Sequence, residues 1–144
     1  MKDFEYFINQ GIIKIRSPNK SLANDLIQES ERKYNSLMNL IDKIGISNEN
    51  ANDIIESSYD ILLYLIRAKL CIEGFKSSGE GAHEAEISYL LKLGFSENEV
   101  RIIDELRYFR NRIKYYGKRF SLEYAKKILE LLNKNYKKIR KMLN

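Results

Sequence analysis

Apolar and small side chains recur at steps of three or four residues along most of this chain, and this spacing constrains the fold more than any other feature. The first such row consists of Ala23, Ile27, Ser30, Tyr34, Leu37, Ile41 and Ile44. Residues at this spacing share one face of an α-helix. Ser17 as N-cap before Pro18 is typical of a helix start, and Gly45 is typical of a helix end. The pattern predicts a long helix between these two points.

A second row follows a polar loop over residues 47–52, and its members are Ile55, Tyr59, Leu62, Ile66 and Leu70. This helix is expected to end before Gly74, which makes it the second arm of a helical hairpin. The serine- and glycine-containing segment over residues 76–81 indicates a flexible turn. A shorter helix is predicted from about Ala82 to Leu93.

Ser96 and Glu99 have the spacing of a capping box and predict the start of a third long helix. Its apolar row is Ile102, Leu106, Phe109, Ile113 and Tyr116. A fourth long helix is predicted after Ser121, and its buried row is Ala125, Ile128, Leu132, Tyr136, Ile139 and Leu143.

These elements predict an all-α fold, an antiparallel four-helix bundle with an additional short helix. We expect no strand pair, although Gly11 to Ile15 has the character of a briefly extended segment. The length of 144 residues suits a single domain over residues 1–144. The only cysteine, Cys71, lies within an apolar helix pattern and is expected to be a small core residue.

The hydropathy pattern argues against a membrane protein. The longest apolar run extends only from Ile61 to Ile66, whereas a membrane-spanning helix needs about 18 or more such residues. Acidic and amide residues interrupt the apolar positions at the N-terminus, so the pattern of a signal peptide is absent. The expected location is therefore cytoplasmic, with no membrane partner.

Charge is divided unevenly along the chain. Residues 1–100 contain 11 Lys or Arg against 16 Asp or Glu, a net charge of −5. Residues 101–144 contain 14 against 4, a net charge of +10. Such asymmetry favours an anionic partner for the last third, with nucleic acid as the usual candidate. A solvated helix face in a lysine-rich protein would give the same composition.

The most informative stretch within this basic third runs from Arg107 to Gly117. Polar and aromatic residues within this stretch and just before it form a row distinct from the apolar one. The row consists of Asp104, Tyr108, Asn111 and Tyr115 and is bordered by Arg107 and Arg110. Arginine forks, an amide and tyrosine hydroxyls suit the recognition of a phosphodiester or a nucleotide. Alternatively, Asp104 pairs with Arg107 or Tyr108, and the row packs against a neighbouring helix or a second subunit.

The chain also resembles the HEPN-domain family, small helical proteins often encoded beside minimal nucleotidyltransferases. The resemblance covers most of the chain. It is found in Gly11-Ile12-Ile13-Lys14, Pro18, Leu22-Ala23 through Glu31-Arg32, Tyr59 through Gly74-Phe75-Lys76, His83-Glu84-Ala85 and Arg110-Asn111. The last of these is similar to the family's most specific element, an arginine followed by a polar residue in the third long helix.

In family members that cleave RNA, a histidine follows this arginine after four to six residues, and the two act at a dimer interface. Here Tyr115, Tyr116 or Gly117 occupies the histidine position, and the only histidine is His83. A tyrosine, with an unperturbed pKa near 10, is a poor general base at neutral pH, whereas histidine near 6.5 suits proton transfer. The resemblance therefore implies a homodimeric module that binds RNA or a nucleotide without cleaving it.

The predicted partner of such a module is a minimal nucleotidyltransferase, in a toxin-antitoxin or defence-type pair. The predicted binding residues are Arg107, Arg110, Asn111, Lys114, Tyr115 and Lys118, with His83 as an accessory residue. One alternative is a metal-independent RNase or degenerate RNase toxin that uses Arg110 and Asn111 with Tyr115 or His83. A second alternative is a dimerisation scaffold without a ligand. No metal or other cofactor is expected, because His83 and Cys71 have no companions at ligand spacing.

Overall fold

The computed structural model describes residues 1–143, and most of these residues are helical. In chain order the elements are α1 (Phe4–Asn9), β1 (Ile13–Ile15), α2 (Lys20–Ile44), α3 (Ala51–Glu73), β2 (Phe75–Ser77), α4 (Ala82–Lys92), α5 (Glu97–Tyr116) and α6 (Leu122–Met142). The prediction of a helical fold class is thus confirmed, as is the presence of four long helices.

The helix ends agree with their local sequence signals. Ser96 Oγ accepts a hydrogen bond from the Glu99 amide at 3.1 Å, and Glu99 Oε1 accepts one from the Ser96 amide at 3.1 Å. The predicted capping box is therefore present at the start of α5. Gly45 and Gly74 follow the last residues of α2 and α3, as predicted.

Helix α3 lies at the centre of the core. Twelve of its 23 residues are buried, including the whole predicted row, and it packs against α2, α4, α5 and α6. Ser30 of α2 donates a hydrogen bond to the Ile61 carbonyl at 2.8 Å. The rings of Tyr34 in α2 and Tyr136 in α6 stack at 4.1 Å. These contacts fix α2 and α6 around the central helix.

The expectation of no strand pair was wrong. β1 and β2 form an antiparallel pair in which Lys14 lies opposite Lys76. The turn predicted over residues 76–81 therefore begins with strand residues. Three-residue strands are too short to display the alternation by which strands are recognised in a sequence.

The predicted start of α2 was also displaced. Its N-cap is Asn19, whose Oδ1 accepts a hydrogen bond from the Leu22 amide at 3.0 Å, and not Ser17. The backbone before α2 is hydrogen-bonded to the end of α3. The Arg16 amide donates to the Gly74 carbonyl at 2.8 Å, and the Asn19 amide donates to the Cys71 carbonyl at 2.9 Å. These bonds join the start of α2 to the end of α3.

The sequence pattern did not predict α1. Its residues Phe4 and Phe7 are buried, and the Phe4 ring lies 5.1 Å from Phe75 of β2 and 4.7 Å from Tyr89 of α4. This aromatic cluster closes one end of the core.

None of the helices within residues 1–143 is both long and apolar enough to cross a bilayer.

The buried face of α5 differs in part from the predicted row. Leu106 and Ile113 are buried as predicted, but Ile103 is buried in place of Ile102, which is half-buried. Helix α5 packs against both α3 and α4. Its buried face is therefore wider than a single row.

Candidate functional site

The end of α5 leaves one predicted core residue in solvent. Tyr116 is 77% exposed, so its assignment to the core was wrong. After Gly117 the chain leaves the helix, and the Phe120 ring lies 5.1 Å from that of Phe109. Phe120, from the loop after α5, therefore packs against Phe109 of the predicted apolar row.

Arg110, the central residue of the predicted site, lies inside the protein. Its side chain is only 12% exposed, and its Nη2 lies 3.5 Å from Asp60 Oδ1 of α3. Its Cζ lies 5.3 Å from the centre of the Tyr59 ring. Its Nη1 donates to Asn111 Oδ1 at 3.4 Å, whereas its buried Nε has no partner within residues 1–143. Three neighbouring groups, those of Asp60, Tyr59 and Asn111, thus contact a guanidinium that is largely shielded from solvent.

His83, predicted as an accessory residue, contacts the same tyrosine as Arg110. The Tyr59 hydroxyl lies 3.2 Å from His83 Nδ1. Burial, and then the positive charges of Arg67, Arg110 and Arg107, lower the pKa of His83. Burial also raises the pKa of Tyr59, so that its hydroxyl keeps its proton. At neutral pH this junction of α3, α4 and α5 therefore contains an uncharged histidine beside arginines.

Arg107 also makes an internal ion pair. Its Nε donates to Asp104 Oδ1 at 2.7 Å, and both side chains are mostly covered. This is one of the pairings that the sequence left open. Arg107, Arg110 and Asn111 are therefore held by neighbouring side chains in the isolated chain.

The remaining predicted residues are exposed, at the end of α5 and in the loop that follows. We call the surface that contains them the basic-aromatic surface and define it as Tyr108, Arg112, Lys114, Tyr115, Tyr116, Lys118 and Arg119. Its tyrosines are exposed, Tyr115 by 66%. The structure thus separates Tyr115 from Arg110, which the sequence had placed in one site.

Two cations of the basic-aromatic surface, Arg112 and Lys114, lie beside its tyrosine rings. The Arg112 guanidinium lies 5.8 Å from the Tyr108 ring and 5.6 Å from the Tyr116 ring. The Lys114 ammonium lies 5.8 Å from the Tyr115 ring. Within residues 1–143, no carboxylate lies within 4 Å of any of the four cations on this surface. Their charge is therefore not neutralised by an internal ion pair.

Sequence reasoning missed Arg112, Tyr116 and Arg119 as members of this surface. A signal was present, because no acidic residue occurs between Glu105 and Glu123. No comparable signal linked His83 to Tyr59, which precedes it by 24 residues in another helix. That contact depends on how α3 and α4 pack.

Two further findings concern metal binding and similarity to known proteins. Within the described part of the chain, no group of three or more histidine, cysteine, aspartate or glutamate side chains is arranged to hold a metal ion. Comparisons with protein-family models, with curated proteins and with solved structures found no match to this chain.

Proposed function

We propose that this protein is a non-catalytic RNA-binding module that contacts single-stranded RNA through the basic-aromatic surface. The observation that carries this proposal is the group of four cations without a carboxylate partner within residues 1–143, together with three exposed tyrosines. Two of the cations, Arg112 and Lys114, lie beside these rings. Lys114, Tyr115 and Lys118 retain the binding role proposed from the sequence. Arg112, Tyr116 and Arg119 join them.

The chemistry of single strands fits this combination. Lysine and arginine neutralise phosphates and release bound counterions, whereas exposed rings stack on bases, and each stacked base contributes about 1–3 kcal/mol. Tyr115 and Tyr116 are 66% and 77% exposed, so packing within the chain does not explain their presence. Stacking on a ligand would remove these rings from water.

The extent of the surface favours RNA over a free nucleotide. Tyr108 and Tyr116 are eight residues apart in α5, which corresponds to about 12 Å along the helix axis. The exposed loop residues Lys118 and Arg119 follow, and the Lys118 amide donates to the Arg112 carbonyl at 3.2 Å. A row of this length suits several consecutive nucleotides.

The family, the oligomeric state and the partner protein are also part of this proposal. We propose a single HEPN-like domain with a HEPN-type four-helix bundle that acts as a homodimer beside a minimal nucleotidyltransferase. The four long helices and the position of Arg110-Asn111 in the third of them support it. Sedimentation should give twice the monomer mass, and a monomer at micromolar concentration would contradict the dimer without affecting the RNA-binding surface.

One observation favours RNA cleavage as a second candidate function. His83 and Arg110 both contact Tyr59, and the lowered pKa of His83 keeps its imidazole available as a base. On this alternative, His83→Ala and Arg110→Ala would abolish metal-independent RNA degradation. The preferred function predicts intact RNA after incubation with the wild-type protein.

The binding test uses fluorescence anisotropy with a labelled single-stranded RNA at low salt. We expect Tyr116→Ala to weaken binding about 5- to 140-fold, the range given by loss of one stacked base at about 1–3 kcal/mol. Tyr116→Phe preserves the ring and should bind as the wild type does. Absence of binding at low salt, or equal affinities for the alanine and phenylalanine variants, would contradict the proposal.

A further inference from the structure

A cavity of about 550 Å³ lies away from the basic-aromatic surface. It is open to solvent and is lined by the segment before α2, the first turns of α2, the second half of α3, β2 and the start of α4. Its volume lies within the range of about 300–1,000 Å³ that is typical of small-molecule sites. His83 is the only residue of the predicted site that lines it.

The residues around this cavity carry an excess of positive charge. Arg16, Arg67 and Lys76 line it together with one carboxylate, that of Glu86. Arg67 Nε already donates to Glu86 Oε2 at 2.6 Å. Within residues 1–143, no carboxylate lies within 4 Å of the cationic groups of Arg16 and Lys76. Arg16 Nη1 donates to the Ile15 carbonyl at 3.2 Å. Arg16 and Lys76 thus keep positive charges that an external anion could neutralise.

The strand pair brings further positive charge close to the cavity. Lys14 lies directly opposite Lys76 in the antiparallel register, and Arg16 follows Lys14 by two residues. Like charges that are directly opposed across two strands destabilise the pairing. A bound anion beside Lys76 would offset this repulsion.

The start of α4 offers further donors at the same place. Gly79, Ala82 and His83 line the cavity, and the N-cap residue Gly81 supplies no side-chain hydrogen bond to the first turn. The Ala82 amide already donates to the Gly79 carbonyl at 3.2 Å, which leaves the amides of His83 and Glu84 as the donors of this first turn. An anion at such a helix start is stabilised by the helix dipole. By contrast, the first turn of α2 is capped by Asn19.

The rest of the lining is apolar. Leu22, Leu26, Leu70 and Phe75 contribute to it, and Leu22 is exposed. We infer that this cavity binds a small organic phosphate monoester, with the phosphate near Arg16 and Lys76 and an apolar body against the leucines. A phosphate monoester carries a charge of about −1.5 to −2 at neutral pH, which matches the two cations. This site does not depend on the RNA-binding function.

The test is a titration of ¹⁵N-labelled protein with phenyl phosphate, followed by amide chemical shifts. Phenol and inorganic phosphate serve as separate probes, since each contains only half of the proposed ligand. We expect phenyl phosphate to bind at least tenfold more tightly than either probe. Its largest shifts should occur at Leu22, Cys71 and Ala82.

The matched variants each remove two positive charges. Arg16→Gln/Lys76→Gln should raise the Kd for phenyl phosphate about tenfold or more, because charge-assisted hydrogen bonds are lost. Lys114→Gln/Lys118→Gln should leave that Kd unchanged. The inference is overturned if phenyl phosphate does not bind at millimolar concentration, if both double variants bind equally, or if the shifts cluster on the basic-aromatic surface.

Discussion

The buried carboxylate of Glu86 provides a quantitative test of how α3, β2 and α4 are joined. Its side chain is 1% exposed. Arg67 Nε donates to Oε2 at 2.6 Å, and Ser77 Oγ donates to Oε1 at 2.8 Å. The Arg67 side chain, by contrast, is 33% exposed. The two partners therefore differ in what remains when the other is removed.

Removing Arg67 should be the more costly change. Arg67→Gln leaves an unpaired charge on a carboxylate that is almost fully buried. Loss of one partner of a buried pair costs about 3–5 kcal/mol of unfolding free energy. Glu86→Gln leaves an arginine that can remain partly hydrated. It replaces charge-assisted hydrogen bonds with neutral ones, at a cost of about 1–2 kcal/mol.

Acid should reduce the cost of Arg67→Gln. Burial raises the pKa of Glu86, against the opposing effect of Arg67 and Ser77. A carboxyl group whose folded-state pKa lies above its unfolded value destabilises the protein above the folded-state pKa, and this loss fades as pH falls towards the unfolded pKa. The cost of Arg67→Gln should therefore be smaller near pH 5 than at pH 7.

Urea unfolding followed by far-ultraviolet circular dichroism measures these differences. The double variant Arg67→Gln/Glu86→Gln should be more stable than the sum of the single changes predicts, because no unpaired charge remains buried. Glu29→Gln, in an exposed pair, is the control and should leave the unfolding midpoint unchanged. Equal costs for the two single variants, or strict additivity, would refute the reasoning.

Three further predictions concern single positions. NMR titration of His83 should give a pKa below 6.5, because burial and the surrounding arginines disfavour its charged form; a value above 6.5 would contradict the geometry of the junction. Hydrogen bonds from the Ser96 backbone and the Lys138 side chain lower the pKa of Glu99 to about 2, so its stabilising effect should be present above about pH 4.5 and lost as pH falls towards 2. The difference in thermal midpoint between wild type and Glu99→Gln should therefore narrow with acid, and a constant difference would argue against this pairing. Gly74→Ala should destabilise the protein, since φ at Gly74 is +82° and an added Cβ would lie 2.6 Å from the Arg16 carbonyl oxygen; an unchanged urea midpoint would contradict this close approach.

The long helices could be predicted because their signals are local and repeated. The apolar row of α3 and the capping box at Ser96 are both formed by residues three or four positions apart in the sequence. The strands β1 and β2 could not be predicted, since each has three residues and depends on a partner about 60 residues away. Tyr116 was misplaced because periodicity does not reveal where the neighbouring core ends.

The sequence predicted which segment contains the candidate site, but it did not predict how the side chains of the site are arranged in three dimensions. The sequence identified the basic stretch of α5, including Lys114 and Tyr115, which are exposed. It could not show that Arg110 faces Tyr59 or that His83 contacts the same ring, because contacts between α3, α4 and α5 depend on tertiary packing. Helical spacing assigns residues to faces, but neighbouring helices decide which faces remain free.

The salt dependence of RNA affinity tests the role of the basic-aromatic surface most directly. Each phosphate contact contributes about 0.7 to the slope of log affinity against log salt for single strands. Lys114→Gln/Lys118→Gln should therefore reduce the magnitude of the slope by about 1.4. Lys134→Gln/Lys137→Gln, on the exposed face of α6, removes the same charge and should leave the slope unchanged. Equal slopes for the wild type and both double variants would contradict the proposed RNA-binding surface.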